Sequence, residues 1–421
     1  MNSETEDSAG SIVRKNFRCQ LLDGILYAST GSLIAPQTIF SALVQRLGGG
    51  NIAVGAIPLF TYIPHFLIQL FSANHFRNTP YKKDITLRIS FFQRAQILAL
   101  AVVIALWGGH SPTTALYLFF FIYFLNQVIG GTVSPLWFDL FVKLTDPFQR
   151  GKLIGLRNAI GSALGFVNGL ILTVVFIKVD FPYNFAIVFG LAGCYQYASW
   201  FALKRVIEDK PSEVAEPVPI KKLWSQSRKI LDNDSTFKRF LISISLAIVG
   251  TIPMSFFTVA ALDRFKLDTS VVGTFSVIVI VGQVISSAFL GYLSDRRGNK
   301  IVLLLCSTSL VIGTICAIIG TSLIFYYIAF FCSGITLGAE LIMRYNFAAD
   351  CSTDQTRSMY VALMNLWSAP FYLSGLLGGY IADLFGYNGI FFIGIGFTIA
   401  GMIVLYRLTD PRKRVRAAAC T

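Results

Sequence analysis

A few polar side chains set inside long apolar runs are the places where this sequence could do chemistry. Ser32, Gln37, His65, Asn126, Gln127, Asn168, Gln283, Asn365 and Trp367 each fall near the middle of such a run. Hydrogen-bonding groups at that depth are expensive unless they face a cavity or one another. Tying neighbouring helices together accounts for any one of them. As a set, amides with an aromatic ring suit a neutral, hydrogen-bonding solute such as a sugar or polyol. A strongly anionic solute would want a Lys or Arg at mid-depth, and counting along the runs finds none. The charges within the runs, Asp23, Arg94, Asp139, Arg157, Glu340 and Arg344, lie toward one end. Glu340 and Arg344 are spaced i, i+4, so they can pair on one helix face. A structural pair or a gate is the first reading. Coupling to a proton or sodium ion through Asp23, Glu340 or Arg344 is the second. His65 follows Pro64 and titrates near neutral pH; a packed, neutral ring is the simpler account of it.

Enzymatic chemistry finds little support. There is no H-E-x-x-H, and Gly151-Lys152 lacks the glycine five positions earlier that a Walker loop needs. The three histidines, His65, His75 and His110, share no local spacing. None of the seven cysteines forms a C-x-x-C pair, and most fall in apolar runs, as buried free thiols do. No catalytic residue, metal or cofactor is therefore expected.

The elements that carry these residues must cross a membrane. Of 421 residues, 54% are hydrophobic and 14% charged, where a soluble domain carries about a quarter charged. Apolar runs of roughly 20 residues, enough to span ~30 Å of hydrocarbon, recur along the chain. They predict helices at 19–45, 52–73, 89–108, 113–143, 152–177, 184–205, 237–262, 270–293, 301–320, 322–346, 358–382 and 387–407. Pro36, Pro58, Pro64, Pro135, Pro253 and Pro370 lie inside them and predict kinks or bending points. Gly161, Gly165 and Gly169 give the fifth run a small-residue face.

Basic residues set the orientation. Of the 35 Lys and Arg, only Arg46, Lys178, Arg264 and Lys266 fall at the outer ends. The net charge of +13 thus reads as cytoplasmic loops beside anionic lipid, without a nucleic-acid partner. An even number of spans puts both termini in the cytoplasm. Residues 1–16 are polar and read as a disordered cytoplasmic tail, with no cleaved export signal.

Two stretches name a family. Gly291-Tyr292-Leu293-Ser294-Asp295-Arg296-Arg297-Gly298-Asn299-Lys300, between the eighth and ninth runs, resembles the G-x-L-x-D-R-x-G-R-K signature of the major facilitator superfamily. Trp137-Phe138-Asp139, Asp146-Pro147-Phe148-Gln149-Arg150-Gly151 and Gly155 resemble its W-x-x-D…P-x-x-x-R-G-x-x-x-G pattern, found in many bacterial members. Asp350 and Arg357 stand in the matching second-half place, with Arg357 207 positions after Arg150, about half the chain. The resemblance covers about residues 18–408. It implies an all-α membrane protein of twelve transmembrane helices in two six-helix pseudo-repeats, working by alternating access. It implies gating roles for Gly291, Asp295, Arg296, Gly298, Lys300, Arg150, Gly151 and Arg357. Asp295 ends a helix, where the dipole disfavours an acid, and in the family its partner is the start of the fifth span, here near Gly151–Ile154. Asn299 departs from the family's usual Arg, for which Lys300 or Arg296 could substitute. The first-half copy, Asn74-His75-Phe76-Arg77-Asn78, lacks the acid and the glycine.

The expected organisation is a cytoplasmic tail (1–18), a six-helix bundle (19–205), a cytoplasmic linker (206–236), a second bundle (237–407) and a basic cytoplasmic tail (408–421). The expected function is secondary active transport of a small organic solute, a neutral polar one such as a sugar, in a bacterial inner membrane and by a monomer. Two alternatives stay open. One is export of lipophilic compounds, which the 37 Phe residues would suit. The other is a sensor that binds a solute without moving it.

Overall fold

A computed structural model describes residues 2–146, 149–212, 214, 216–217, 219–353 and 356–409, with side chains except at 2–10, 220–224, 226 and 358. Pro147, Phe148 and most of the predicted basic tail lie outside the described residues. Fifteen α-helices follow one another among those described, with no strand between them. They are α1 (Asn2–Leu33), α2 (Ser41–Arg46), α3 (Asn51–His75), α4 (Lys83–Trp107), α5 (Pro112–Leu144), α6 (Arg150–Lys178), α7 (Tyr183–Lys204), α8 (Ile220–Asn233), α9 (Ser235–Gly250), α10 (Ile252–Phe265), α11 (Val272–Arg297), α12 (Asn299–Ile319), α13 (Leu323–Asp350), α14 (Arg357–Ser368) and α15 (Ser374–Tyr406).

Ten stretches among the described residues are long and apolar enough to cross a membrane. The last, Met359–Tyr406, has 48 residues, about 72 Å of helix and enough for two crossings. Gly386, at φ 69°, divides it where the sequence separates its last two runs. Ten such stretches, the last long enough for two crossings, together with the α1–α2 segment are consistent with the predicted twelve.

Three of the six prolines interrupt their spans. α1 ends before Pro36, and a π-helical turn (Pro36–Phe40) leads into α2. Pro253 opens α10 just after Thr251, and Pro370 sits in a 3-10 turn (Ala369–Leu373). Proline lacks the N–H and crowds the carbonyl a turn earlier, so the helix breaks or restarts there. Pro58, Pro64 and Pro135 are instead carried inside unbroken α3 and α5.

One expectation needs correction: the segment read as a disordered tail is helical from Asn2. The linker holds a helix of its own, α8, and Asn16 brackets the linker's first residues, donating to the Ile207 carbonyl at 2.9 Å and accepting from the Ile207 N–H at 2.8 Å.

The chain forms two compact units: residues 1–35 with 64–217, and residues 36–63 with 218–421. In the first, α4 packs on α5 and α7, and α1 on α6 and α7. The predicted small-residue face of α6 is buried at Gly161, Gly165 and Gly169, and a Cβ at Gly161 would press the Ala28 methyl at 3.1 Å. In the second, α12 packs on α13 and α15, and α9 on α15. The same pairing thus recurs half a chain later, as two repeats require. Residues 36–63 depart from the predicted 19–205 bundle and pack with second-half helices. Thr38 and Ser276 share a hydrogen bond at 2.8 Å, Thr258 donates to the Gln37 carbonyl at 2.7 Å, and Ser41 donates to the Ser255 carbonyl at 3.0 Å.

Candidate functional site

In the first unit, buried charge gathers around α1. Asp23 is 3% exposed. Its carboxylate accepts from the Ser199 hydroxyl at 2.6 Å and the Trp137 indole N–H at 3.1 Å. Arg94, equally buried, donates to the Gln196 and Ser90 carbonyls at 2.7 and 3.1 Å and to the Ser199 hydroxyl at 3.3 Å. Arg157 lies over the Trp137 ring, 4.8 Å from its centroid, and beside Phe141. The near side of its guanidinium, Nε and Cζ, with Cδ lies against Gly24, where any Cβ would collide with it. Four helices (α1, α4, α5, α7) and α6 therefore fix one carboxylate and two guanidinium groups.

The predicted polar residues of this unit sit higher on the same helices. Gln127 hydrogen-bonds His65, and a Cβ on Gly130 would stand 3.4 Å from the His65 ring. Asn126 is buried and donates to the Gln93 carbonyl at 2.8 Å. Asn168, fully buried, donates to the Ser29 carbonyl and the Ser32 hydroxyl, while its own carbonyl oxygen finds no partner. Asn126 and Asn168 thus tie helices to one another. Gln127 and His65 are half-buried.

The second unit holds the other ion pair. Arg344 and Glu340 pair on α13, as their spacing predicts. The Tyr372 hydroxyl hydrogen-bonds Arg344, and Tyr62 stacks on Tyr372 with centroids 4.2 Å apart. Tyr345 hydrogen-bonds Asn365. Trp367 donates to the Ser245 hydroxyl at 3.0 Å. Gln37 and Gln283 are half-buried, and neither side-chain amide has a partner among the described residues. The sequence reading missed Tyr62, Tyr345 and Tyr372. A tyrosine inside an apolar run reads as one more aromatic, and only the fold shows its hydroxyl meeting an ion pair. Tyr62 lies near the midpoint of α3.

The signature residues build the loop face. Gly298, at φ 94°, turns the chain from α11 into α12, a conformation in which a side chain would be strained. Asn299 is buried; it accepts from the Ser294 hydroxyl and donates to Asp350 at 2.6 Å. It thus makes a tie between α12 and α13 at the place of the family's Arg. Lys300 caps the end of α15 through the Tyr406 and Leu408 carbonyls, and Arg296 lies over the Tyr292 ring at 4.4 Å. Asp295 is exposed, and Gly291 is half-buried with room for a Cβ. In the first unit, Lys82 at the head of α4 pairs with Asp139 at 2.5 Å, the counterpart of Asn299 with Asp350. The missing first-half acid and glycine hid this, because the lysine stands several residues beyond the stretch that aligns. Glu208 accepts from the Lys82 and Lys83 N–H groups and pairs with Lys143 at 2.6 Å. Arg150 donates to the Val142 carbonyl at 2.7 Å, closing the end of α5, and Gly151 follows it in the first turn of α6. Arg357 opens α14.

Residues 239–419 match the sequence profile of the Major Facilitator Superfamily. No curated protein matches the chain in sequence. Solved structures match nearly all of it in fold. A mutant of the nucleoside transporter NupG has a TM-score of 0.70 at 12% identity, covering 94% of this chain and 99% of its own. A bacterial homologue of the iron transporter ferroportin, in an inward-facing state, gives 0.65 at 15%, covering 94% and 98%. The peptide transporter POT in complex with sulfate gives 0.65 at 13%, covering 95% of each. At these identities the likeness is one of fold.

Proposed function

We infer function from one premise: this chain is a member of the major facilitator superfamily. We propose that it is a secondary active transporter of a small polar solute, working by alternating access. The observation that carries the reading is the duplicated frame. α4 on α5 and α7 recurs as α12 on α13 and α15, and each copy ends in an equivalent clasp, Lys82 with Asp139 and Asn299 with Asp350. An enzyme or a receptor has no need of two matched copies, whereas alternating access uses two.

The half-buried amides Gln37, Gln127 and Gln283, with His65 and the Tyr62, Tyr372 and Asn365 group, are the proposed solute contacts. Amide and hydroxyl groups of this kind suit the hydroxylated face of a sugar-like solute. Asn126, Asn168 and Trp367 position them by bonding between helices. Asp23 and the Glu340–Arg344 pair are the proposed coupling groups, for a proton or sodium ion. The ties of residues 37–51 to second-half helices, among them Gln45 to Asp263, Arg46 to Asp268 and Asn51 to Asp383, are the proposed outer gate. Each is a single hydrogen bond or exposed ion pair, worth about 1 kcal/mol, so the gate can open within a transport cycle. The protein is proposed to act as a monomer in a bacterial inner membrane, with both termini in the cytoplasm.

A thermal-shift screen of the purified protein tests the solute class. Saturation at about 100 times the dissociation constant stabilises the fold by ~2.7 kcal/mol. Stabilisation by sugars, polyols or their derivatives supports the reading. A response confined to lipophilic compounds overturns it in favour of an exporter.

A further inference from the structure

The cluster around Asp23 is short of one negative charge. Within the apolar spans of the first unit it holds two guanidinium groups, Arg94 and Arg157, and one carboxylate. Arg94 gives three of its five N–H donors to neutral acceptors, the Gln196 and Ser90 carbonyls and the Ser199 hydroxyl. Both oxygens of Asp23 are engaged by neutral donors, Ser199 and Trp137. Arg157 differs. It is half-buried and held flat by Trp137, and none of its five N–H donors meets an acceptor among the described residues. Cations inside membrane spans are normally paired. Here Asp23 attracts the guanidinium, yet its oxygens are already held by Ser199 and Trp137, so the donors of Arg157 stay open among the described residues.

The positioning is itself built. Trp137 is pinned through its N–H to Asp23, Asp23 through Ser199, and Ser199 through Arg94. Gly24 leaves the space in which the Nε side of the Arg157 guanidinium lies. A planar guanidinium fixed against an aromatic face presents its fork in a set direction, which is the geometry that recognises a carboxylate or phosphate in two-point fashion. We propose that Arg157 receives an acidic group of the transported solute, so that the solute is a hydroxylated acid: a sugar acid or sugar phosphate in chemical class. The inference rests on the transport reading above and adds to the neutral contacts one anionic contact that counting along the spans had not placed.

The test uses the full-length protein, with inorganic phosphate, D-glucuronate and D-glucose as probes. Melting temperature and tryptophan fluorescence are followed in detergent and in phosphatidylcholine bilayers, for the wild type, Arg157→Gln and Arg157→Lys. The melt of each variant without ligand establishes that it is folded. Phosphate or glucuronate is expected to raise the melting temperature of the wild type. Arg157→Gln is expected to weaken that response roughly tenfold or more, and Arg157→Lys, which keeps the charge without the planar fork, to fall between. A wild type indifferent to both anions overturns the proposal. So does an equal response in Arg157→Gln, which marks general stabilisation by excluded salts. An anion effect abolished by adding phosphatidylglycerol assigns the site to a lipid headgroup and overturns the solute assignment. Glucuronate binding without flux into proteoliposomes leaves the anion contact standing and removes the transport reading. D-glucuronate flux unchanged in Arg157→Gln does the reverse.

Discussion

The side-chain amide of Asn299 donates to the Asp350 carboxylate at 2.6 Å, joining the head of α12 to the end of α13. The first unit makes the same join with a charged pair, Lys82 and Asp139. One architecture is thus clasped twice, by a neutral bond to a carboxylate in one copy and an ion pair in the other. Asn299 is buried and also holds the Ser294 hydroxyl. Asn299→Leu removes a partner from each group and should destabilise the protein by about 1–3 kcal/mol, read as a lower midpoint in thermal or denaturant unfolding. Asn299→Arg restores a charge opposite Asp350 and should fall closer to the wild type. If leucine and arginine are equivalent, the clasp is not an energetic feature of the fold.

The Glu340–Arg344 pair makes a different demand. Arg344 is 6% exposed, and breaking a buried pair from one side leaves an uncompensated charge. Glu340→Gln should therefore cost about 3–5 kcal/mol, whereas replacing both members by uncharged residues should recover much of the loss. A double-mutant cycle measures it. Simple additivity of the two single changes would show that the pair is not coupled.

Gly55 and Gly375 bring their backbones together where α3 meets the first turn of α15, and a Cβ on Gly55 would run into the Gly375 carbonyl. Gly55→Val should therefore hold this seam apart. Cysteines placed at residues 51–54 should then label faster from the outer side, and flux should fall. Labelling at the wild-type rate would mean that this contact does not limit opening.

Asp295 is exposed at the C-terminal end of α11, where the helix dipole repels its charge. It needs a positive partner in the gated state. Asp295→Asn should loosen the cytoplasmic gate, seen as faster cysteine labelling at the inner end of α6. Unchanged labelling would count against a gating role.

The sequence was most legible where physics acts on long stretches. Hydrocarbon thickness sets span length, so all twelve predicted runs coincide with helices, and Gly386 marks the last division. It was least legible where a side chain's role depends on what stands opposite. Nothing in the run around Tyr62 shows that its ring stacks on Tyr372 beside an ion pair. Asn299 reads as a lost arginine, and only the position of Asp350 shows that its shorter amide ties α12 to α13. Arg157 reads as a charge near a helix end, because its stacking on Trp137 joins residues from different helices. The helical Asn2–Phe17 and α8 are polar stretches, for which apolar periodicity gives no signal.

Solute counterflow in proteoliposomes tests the central claim most directly. Protein is reconstituted into vesicles preloaded with D-glucuronate, D-glucose or D-glucose 6-phosphate, and entry of the labelled solute is followed with no ion gradient. Alternating access predicts transient accumulation of at least one labelled solute above equilibrium. It also predicts loss of that accumulation in Gly55→Val, whose outer seam should not close. Solute that binds the protein yet never exchanges across the vesicle wall would contradict transport and leave a membrane-bound sensor.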